Sequence, residues 1–207
     1  YDKKTDCHGY VGYSPTFNAI LVVFRGTKSF QNVLEDLKFS KMVVHPGSPG
    51  AKVHKGMYEM YLAVEDKVTQ YVNETKKDYP QATQIFVVGH SLGAGIAVLA
   101  AERMQLTYEH IQVFNYGCPR VGNEIFAKYY DSVVPATTKL VHNADPIPHL
   151  PTLFMGFYHT ATEVWHVKDN YIVCDSTGED PHCSDSLKIA LSLNDHREYM
   201  GFYTGCK

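Results

Sequence analysis

The sequence predicts an α/β fold whose open, predominantly parallel central sheet is flanked by helices. Three features predict it: a continuous apolar run at residues 19–24, an alternation of such runs with helical patterns through most of the chain, and a Gly89-His90-Ser91-Leu92-Gly93 turn between an apolar strand and a small-residue helix. A strand without polar alternation is the mark of one covered on both faces. Strands alternating with helices build parallel sheets, whose functional sites lie at the carboxyl ends of the strands.

The elements follow in chain order. Residues 19–24 (Ala-Ile-Leu-Val-Val-Phe) form the first predicted strand. Phe30, Val33, Leu34 and Leu37 then fall at i, i+3, i+4 and i+7 behind Ser29, an N-cap residue, and predict a short amphipathic helix. Residues 57–79 carry Tyr58, Tyr61, Leu62, Val64, Val68, Tyr71 and Val72 near helical spacing and stop at Pro80. A strand at 84–88, a helix at 92–106, a strand at 111–115, a short helix at 124–130 and a strand at 138–142 come next. A hairpin is expected over 158–174, followed by a polar loop and helical segments to the C-terminus. No repeat or linker divides the chain, so residues 1–207 are expected to form one domain, and Pro46–Gly50 reads as a loop inside it.

Composition removes several function classes. Nineteen Lys and Arg against 22 Asp and Glu give a net charge of −3, without the basic footprint of a nucleic-acid binder. At 44% hydrophobic and 20% charged residues the chain is an ordinary globular one, long enough to bury roughly 70% of its unfolded surface. No apolar run approaches the roughly 20 residues of a membrane-spanning helix. The chain opens at Tyr1 with no charged leader before an apolar stretch, so any signal peptide is expected to be absent or already removed. Of the five cysteines, Cys174 and Cys183 enclose a short polar loop that suits a local disulfide. The eleven histidines are scattered, and neither HExxH nor paired CxxC spacing marks a metal site.

The 89–93 pentapeptide has the form G-x-S-x-G in its required context of strand, tight turn and helix. Small residues two positions either side of Ser91 let strand and helix pack closely, and the serine hydroxyl projects near a helix N-terminus that favours developing negative charge. His90 is expected to point away from Ser91 in a structural role. A nucleophilic serine needs a base, and the base an orienting acid, in the chain order Ser, Asp or Glu, His. Asp145 fits the acid, because a strand runs directly into the Pro-rich turn that carries it; Asp131, Asp169 and Asp175 are its rivals. Spacing alone leaves the base open among His196, His149, His159, His166 and His182.

Five stretches together resemble the fungal-type class 3 lipases, a branch of the α/β-hydrolases that includes feruloyl esterases and phospholipases: residues 23–27 (Val-Phe-Arg-Gly-Thr), 89–93, 116–123 (Tyr-Gly-Cys-Pro-Arg-Val-Gly-Asn), 142–151 (His-Asn-Ala-Asp-Pro-Ile-Pro-His-Leu-Pro) and 196–206. The resemblance covers nearly the whole chain. It implies an α/β-hydrolase fold and a triad of Ser91, Asp145 and His196. It further implies an oxyanion hole from the backbone N–H groups of Leu92 and Thr27, and a short amphipathic lid carrying Phe30, Val33, Leu34 and Leu37. It implies for Cys206 a partner in an N-terminal helical segment that this sequence does not show, leaving Cys206 free or paired with Cys7; Cys118 is expected to be an inert buried thiol. The Cys174–Cys183 bridge and the sequon Asn73-Glu74-Thr75 agree with secretion. The expected function is hydrolysis of carboxylic esters, foremost triacylglycerols at a lipid–water interface, by a monomer needing no metal or cofactor. The alternatives are a phospholipase A1, a feruloyl-type esterase, or a non-catalytic binding protein on the same fold.

Overall fold

The computed structural model describes residues 1–26, 41–187 and 189–204. In chain order these form β1 (Gly9–Ser14), β2 (Ala19–Phe24), β3 (Met42–Val44), β4 (Lys52–His54), α1 (Lys55–Leu62), α2 (Glu65–Asp78), β5 (Gln84–His90), α3 (Leu92–Met104), β6 (Ile111–Tyr116), α4 (Glu124–Val133) and β7 (Thr137–His142). One-turn 3-10 segments at Ile147–His149 and Leu153–Met155 lead to β8 (Glu163–Val167) and β9 (Asn170–Val173). The chain then runs through a third such segment, Ser184–Ser186, to α5 (Leu193–Arg197), β10 (Glu198–Tyr199) and β11 (Phe202–Tyr203).

Seven strands make the central sheet in the order β1-β2-β5-β6-β7-β8-β9. The five from β2 to β8 are parallel, and β1 and β9 close the two edges as antiparallel partners of β2 and β8. This is the predominantly parallel sheet of an α/β-hydrolase. Helix α3 is its central prop: every residue except Arg103 is buried, and its Gly and Ala content lets it lie close against β5. On its outer side Met57 and Tyr61 of α1 pack against it, and Met57 Sδ occupies the space that a side chain at Gly95 would need. Glu102 of α3 is buried and meets His45 Nε2 at 3.2 Å and the hydroxyl of Tyr129 at 2.9 Å, so its carboxylate keeps polar company within the core.

Three expectations are corrected, and one strand that the sequence did not announce is added. The strand at 19–24 is not covered on both faces by the described residues: Ile20, Val22 and Phe24 are buried, whereas Leu21 and Val23 are only partly covered. Residues 57–79 split into two helices at Ala63–Val64, because the upper part buries Met57 and Tyr61 against α3 and the lower part buries Val68 and Val72 beside β1 and β2. The edge strand β1 was hidden by its two glycines and its final serine, which dilute the apolar signal. Among the described residues, the part after the polar loop holds the 3-10 segment Ser184–Ser186, the five-residue α5 and then a two-stranded ribbon where helical segments were expected to continue.

Cys174 and Cys183 are bridged, as their spacing suggested. Cys7 and Cys118 are free buried thiols, pushed by burial up to about 11 and about 12, which suits inert packing residues. Cys206 lies outside the described residues.

Candidate active site

Strand β5 delivers Ser91 at its carboxyl end, where the backbone turns with φ 58° and ψ −131°. A non-glycine residue in that region is strained, and the surroundings hold it there: Ser91 N–H donates to Tyr116 O at 2.9 Å, and its carbonyl accepts from Ala94 N–H at 2.9 Å and Gly95 N–H at 3.3 Å. The flanking glycines answer to close approach. A Cβ on Gly89 would come within 2.6 Å of Ala94 Cα, and one on Gly93 within 2.7 Å of the carbonyl carbon of Arg25. Gly93→Ala is therefore expected to destabilise the fold by about 1–3 kcal/mol. Denaturant unfolding measures this, and an unchanged midpoint would contradict the packing argument.

Asp145 follows β7 by three residues and is fully buried. Its Oδ1 accepts the N–H of Ile147 at 2.8 Å, so the 3-10 turn after Pro146 orients the carboxylate. His196 is carried by α5, whose N-cap Ser192 is tied back to this loop by its N–H to Ala144 O at 3.0 Å. His142 Nδ1 contacts Asp195 O at 3.0 Å, and Ala144 N–H donates to Asp195 Oδ2 at 3.1 Å. These bonds bring His196 Nδ1 to 2.8 Å from Asp145 Oδ2, with both side chains buried. Because Oδ2 accepts, Nδ1 carries the proton, and Nε2 is the nitrogen through which the ring would exchange one with Ser91.

Two side chains with no catalytic role assigned from the sequence join this pair, and one of them, His90, was expected to be structural. Tyr199 donates its hydroxyl to the same Asp145 Oδ2 at 2.5 Å. The only signal for it was its place three residues after His196. His90 does not stand apart from the site: its ring centroid lies 4.6 Å from that of His196, and its Nε2 donates to His196 O at 2.8 Å. Burial first, and the neighbouring His196 second, lower the His90 pKa to about 4, so it stays neutral beside the other ring.

The rivals lie elsewhere. Asp131 accepts from Ala161 N–H at 2.9 Å and is pushed by burial up to about 6, while Asp175 caps Thr177 and Asp169 sits in the β8–β9 turn. His149 pairs with Asp185, His159 contacts Pro148 O, His166 stacks on Tyr171, and His182 is exposed beside Asp180. Leu92 opens α3, and its N–H belongs to the first turn, whose donors an α-helix leaves without intrahelical partners. Thr27 and the lid residues Phe30, Val33, Leu34 and Leu37 lie outside the described residues. Among the described residues one group, Glu163 with Cys174 and Cys183, has metal-like spacing, but both sulfurs are spent in the disulfide.

Comparison with known proteins finds a family match and similar chains along most of the sequence. The family model "Lipase (class 3)" matches residues 21–155. The chain is 35% identical to a lipase of Rhizomucor miehei, covering 97% of itself and 57% of that protein, and 33% identical to the secreted mono- and diacylglycerol lipase A of Penicillium cyclopium, covering 80% and 54%. It superposes on lipase II from Rhizopus niveus with a TM-score of 0.91 at 32% identity, covering 99% of itself and 79% of that chain. The chain thus spans just over half the length of the curated relatives it matches.

Proposed function

The chain belongs to the class 3 lipase family, and on that premise we propose that it is a secreted, monomeric serine ester hydrolase acting on acylglycerols at a lipid–water interface. The observation that carries the reading is the buried Asp145–His196 pair, whose imidazole lies against the ring of His90, the residue before a serine held at positive φ on a strand-to-helix elbow. Ser91 attacks the ester carbonyl as His196 takes its proton, and Asp145 holds the ring and stabilises the imidazolium. The Leu92 N–H, with that of Thr27 on the sequence resemblance, receives the oxyanion; losing one such donor typically costs about 10²–10³ in rate. His196 returns its proton to the leaving alcohol, and water activated by the same base releases the acid. Secretion is supported by the disulfide and by the secreted relative. Among the described residues no helix is long and apolar enough to cross a membrane.

An interfacial substrate is supported by exposed apolar side chains on the segments that follow Asp145 and precede His196 in the chain. Phe154 is 100% exposed on the 3-10 segment Leu153–Met155, and Leu191 is 76% exposed on the segment leading into α5. Residues 147–162 contain no Asp, Glu, Lys or Arg, which suits a neutral ester surface. The test is the initial rate on a sparingly soluble short-chain triglyceride, followed across its solubility limit with Ser91→Ala alongside. The reading predicts a rise above the limit that the variant lacks, and a smooth saturating curve would overturn the interfacial part. Phe154→Ser with Leu191→Ser is expected to lower the rate on emulsion about tenfold, since burying one large apolar side chain is worth roughly 1.5–3 kcal/mol. On a dissolved ester the same pair is expected to leave kcat/KM nearly unchanged, and equal losses on both substrates would remove these residues from the lipid contact.

A further inference from the structure

We propose that Tyr199 is a positioning residue of the Asp145–His196 pair, sharing Asp145 Oδ2 with the imidazole and thereby setting the pH at which the pair takes up a proton. This rests on the triad reading above. Three donors fix the carboxylate: Ile147 N–H on Oδ1, and His196 Nδ1–H with Tyr199 O–H on Oδ2. The phenol oxygen accepts the N–H of His142 at 3.4 Å, leaving its own proton directed at Asp145. The ring is 3% exposed and held among Tyr116, His90 and His142, with centroids 5.7–5.9 Å away.

The turn after β6 leaves room for this convergence. Gly117 has φ +57°, and a Cβ there would stand 2.7 Å from Asp145 Oδ2, 2.9 Å from the Tyr199 hydroxyl and 3.0 Å from His196 Cε1. Carboxylate, phenol and imidazole thus meet where the chain carries no side chain. Burial, and then the charge of Asp145, hold the Tyr199 hydroxyl well above the usual phenol range, so it remains a donor at every working pH.

The sign of the effect follows from the shared oxygen. Without the phenol donor, the carboxylate loses a bond that favours its charged form and becomes more basic. The remaining Nδ1–H···Oδ2 bond strengthens and favours the imidazolium. Both changes raise the pH at which the coupled pair gains a proton. Among the described residues, titratable groups near the pair include His90 on β5, Tyr116 on β6, Cys118 beyond it, His142 on β7 and Asp195 on α5. Burial keeps His90, Tyr116 and Cys118 neutral, and none of these side chains has the Tyr199 hydroxyl as a partner.

Tyr199→Phe keeps the ring and deletes the hydroxyl. In this variant the acid limb of kcat/KM on a soluble ester is expected to move up by about half to one pH unit, with kcat lower by about tenfold, since a hydrogen bond to a charged group contributes roughly 1.5–3 kcal/mol. NMR titration of the His196 imidazole reads the same shift without catalysis, so it tests the positioning role even if no ester is hydrolysed. Replacing Tyr199 with 3-fluorotyrosine, a more acidic phenol that preserves packing, is expected to move both readouts the opposite way. A fall in activity with the limb and the imidazole titration unmoved would reduce Tyr199 to a packing residue and overturn the proposal.

Discussion

Ser91→Ala is expected to lower kcat on a soluble short-chain ester by about 10⁵–10⁶, with the thermal unfolding midpoint close to that of the parent chain. The loss is this large because the proposed reaction passes through an acyl group on Ser91, and what remains without it is substrate binding and the oxyanion donors. The fold is spared because alanine keeps the Cβ that already sits at φ 58°, and the backbone bonds that hold the elbow do not use the hydroxyl. Single-turnover kinetics measure it. A residual rate within 100-fold of the parent would place the nucleophile elsewhere.

Asp145→Asn is expected to cost about 10⁴ in kcat. The carboxylate offers two oxygens to three donors: Ile147 N–H on one side, and Nδ1–H with the Tyr199 hydroxyl on the other. An amide has one oxygen. If that oxygen faces Ile147, the NH₂ group meets Nδ1 and pushes the ring toward the wrong tautomer. If it faces Nδ1, the NH₂ group meets the Ile147 N–H inside a fully buried site. Neither placement restores the negative charge that stabilises the imidazolium. The deficit should persist across the pH profile, and recovery at high pH would assign Asp145 a simple acid–base role instead.

The parallel sheet, the elbow and the proposed acid were legible because each has a local signature. Apolar runs mark β2 and β5, two glycines flank Ser91 at points of backbone contact, and a strand runs straight into a Pro turn before Asp145. The proposed base was legible only through the family resemblance. His196 reaches Asp145 through α5, a five-residue helix that is tied down by Ser192 and Asp195, and no hydrophobic period announces so short an element. Tyr199 and His90 were legible to neither route, since their roles depend on contacts across 54 and 106 residues of chain. The break at Ala63–Val64 was missed because the apolar stripe continues through it while the partner surface changes.

Covalent capture of the nucleophile tests the central claim most directly. After reaction with an alkyl phosphonate ester, peptide mass analysis is expected to find one adduct per chain, on Ser91, absent from Ser91→Ala and formed much more slowly in Asp145→Asn. An adduct at another residue, or labelling and ester hydrolysis that survive in Ser91→Ala, would contradict the account.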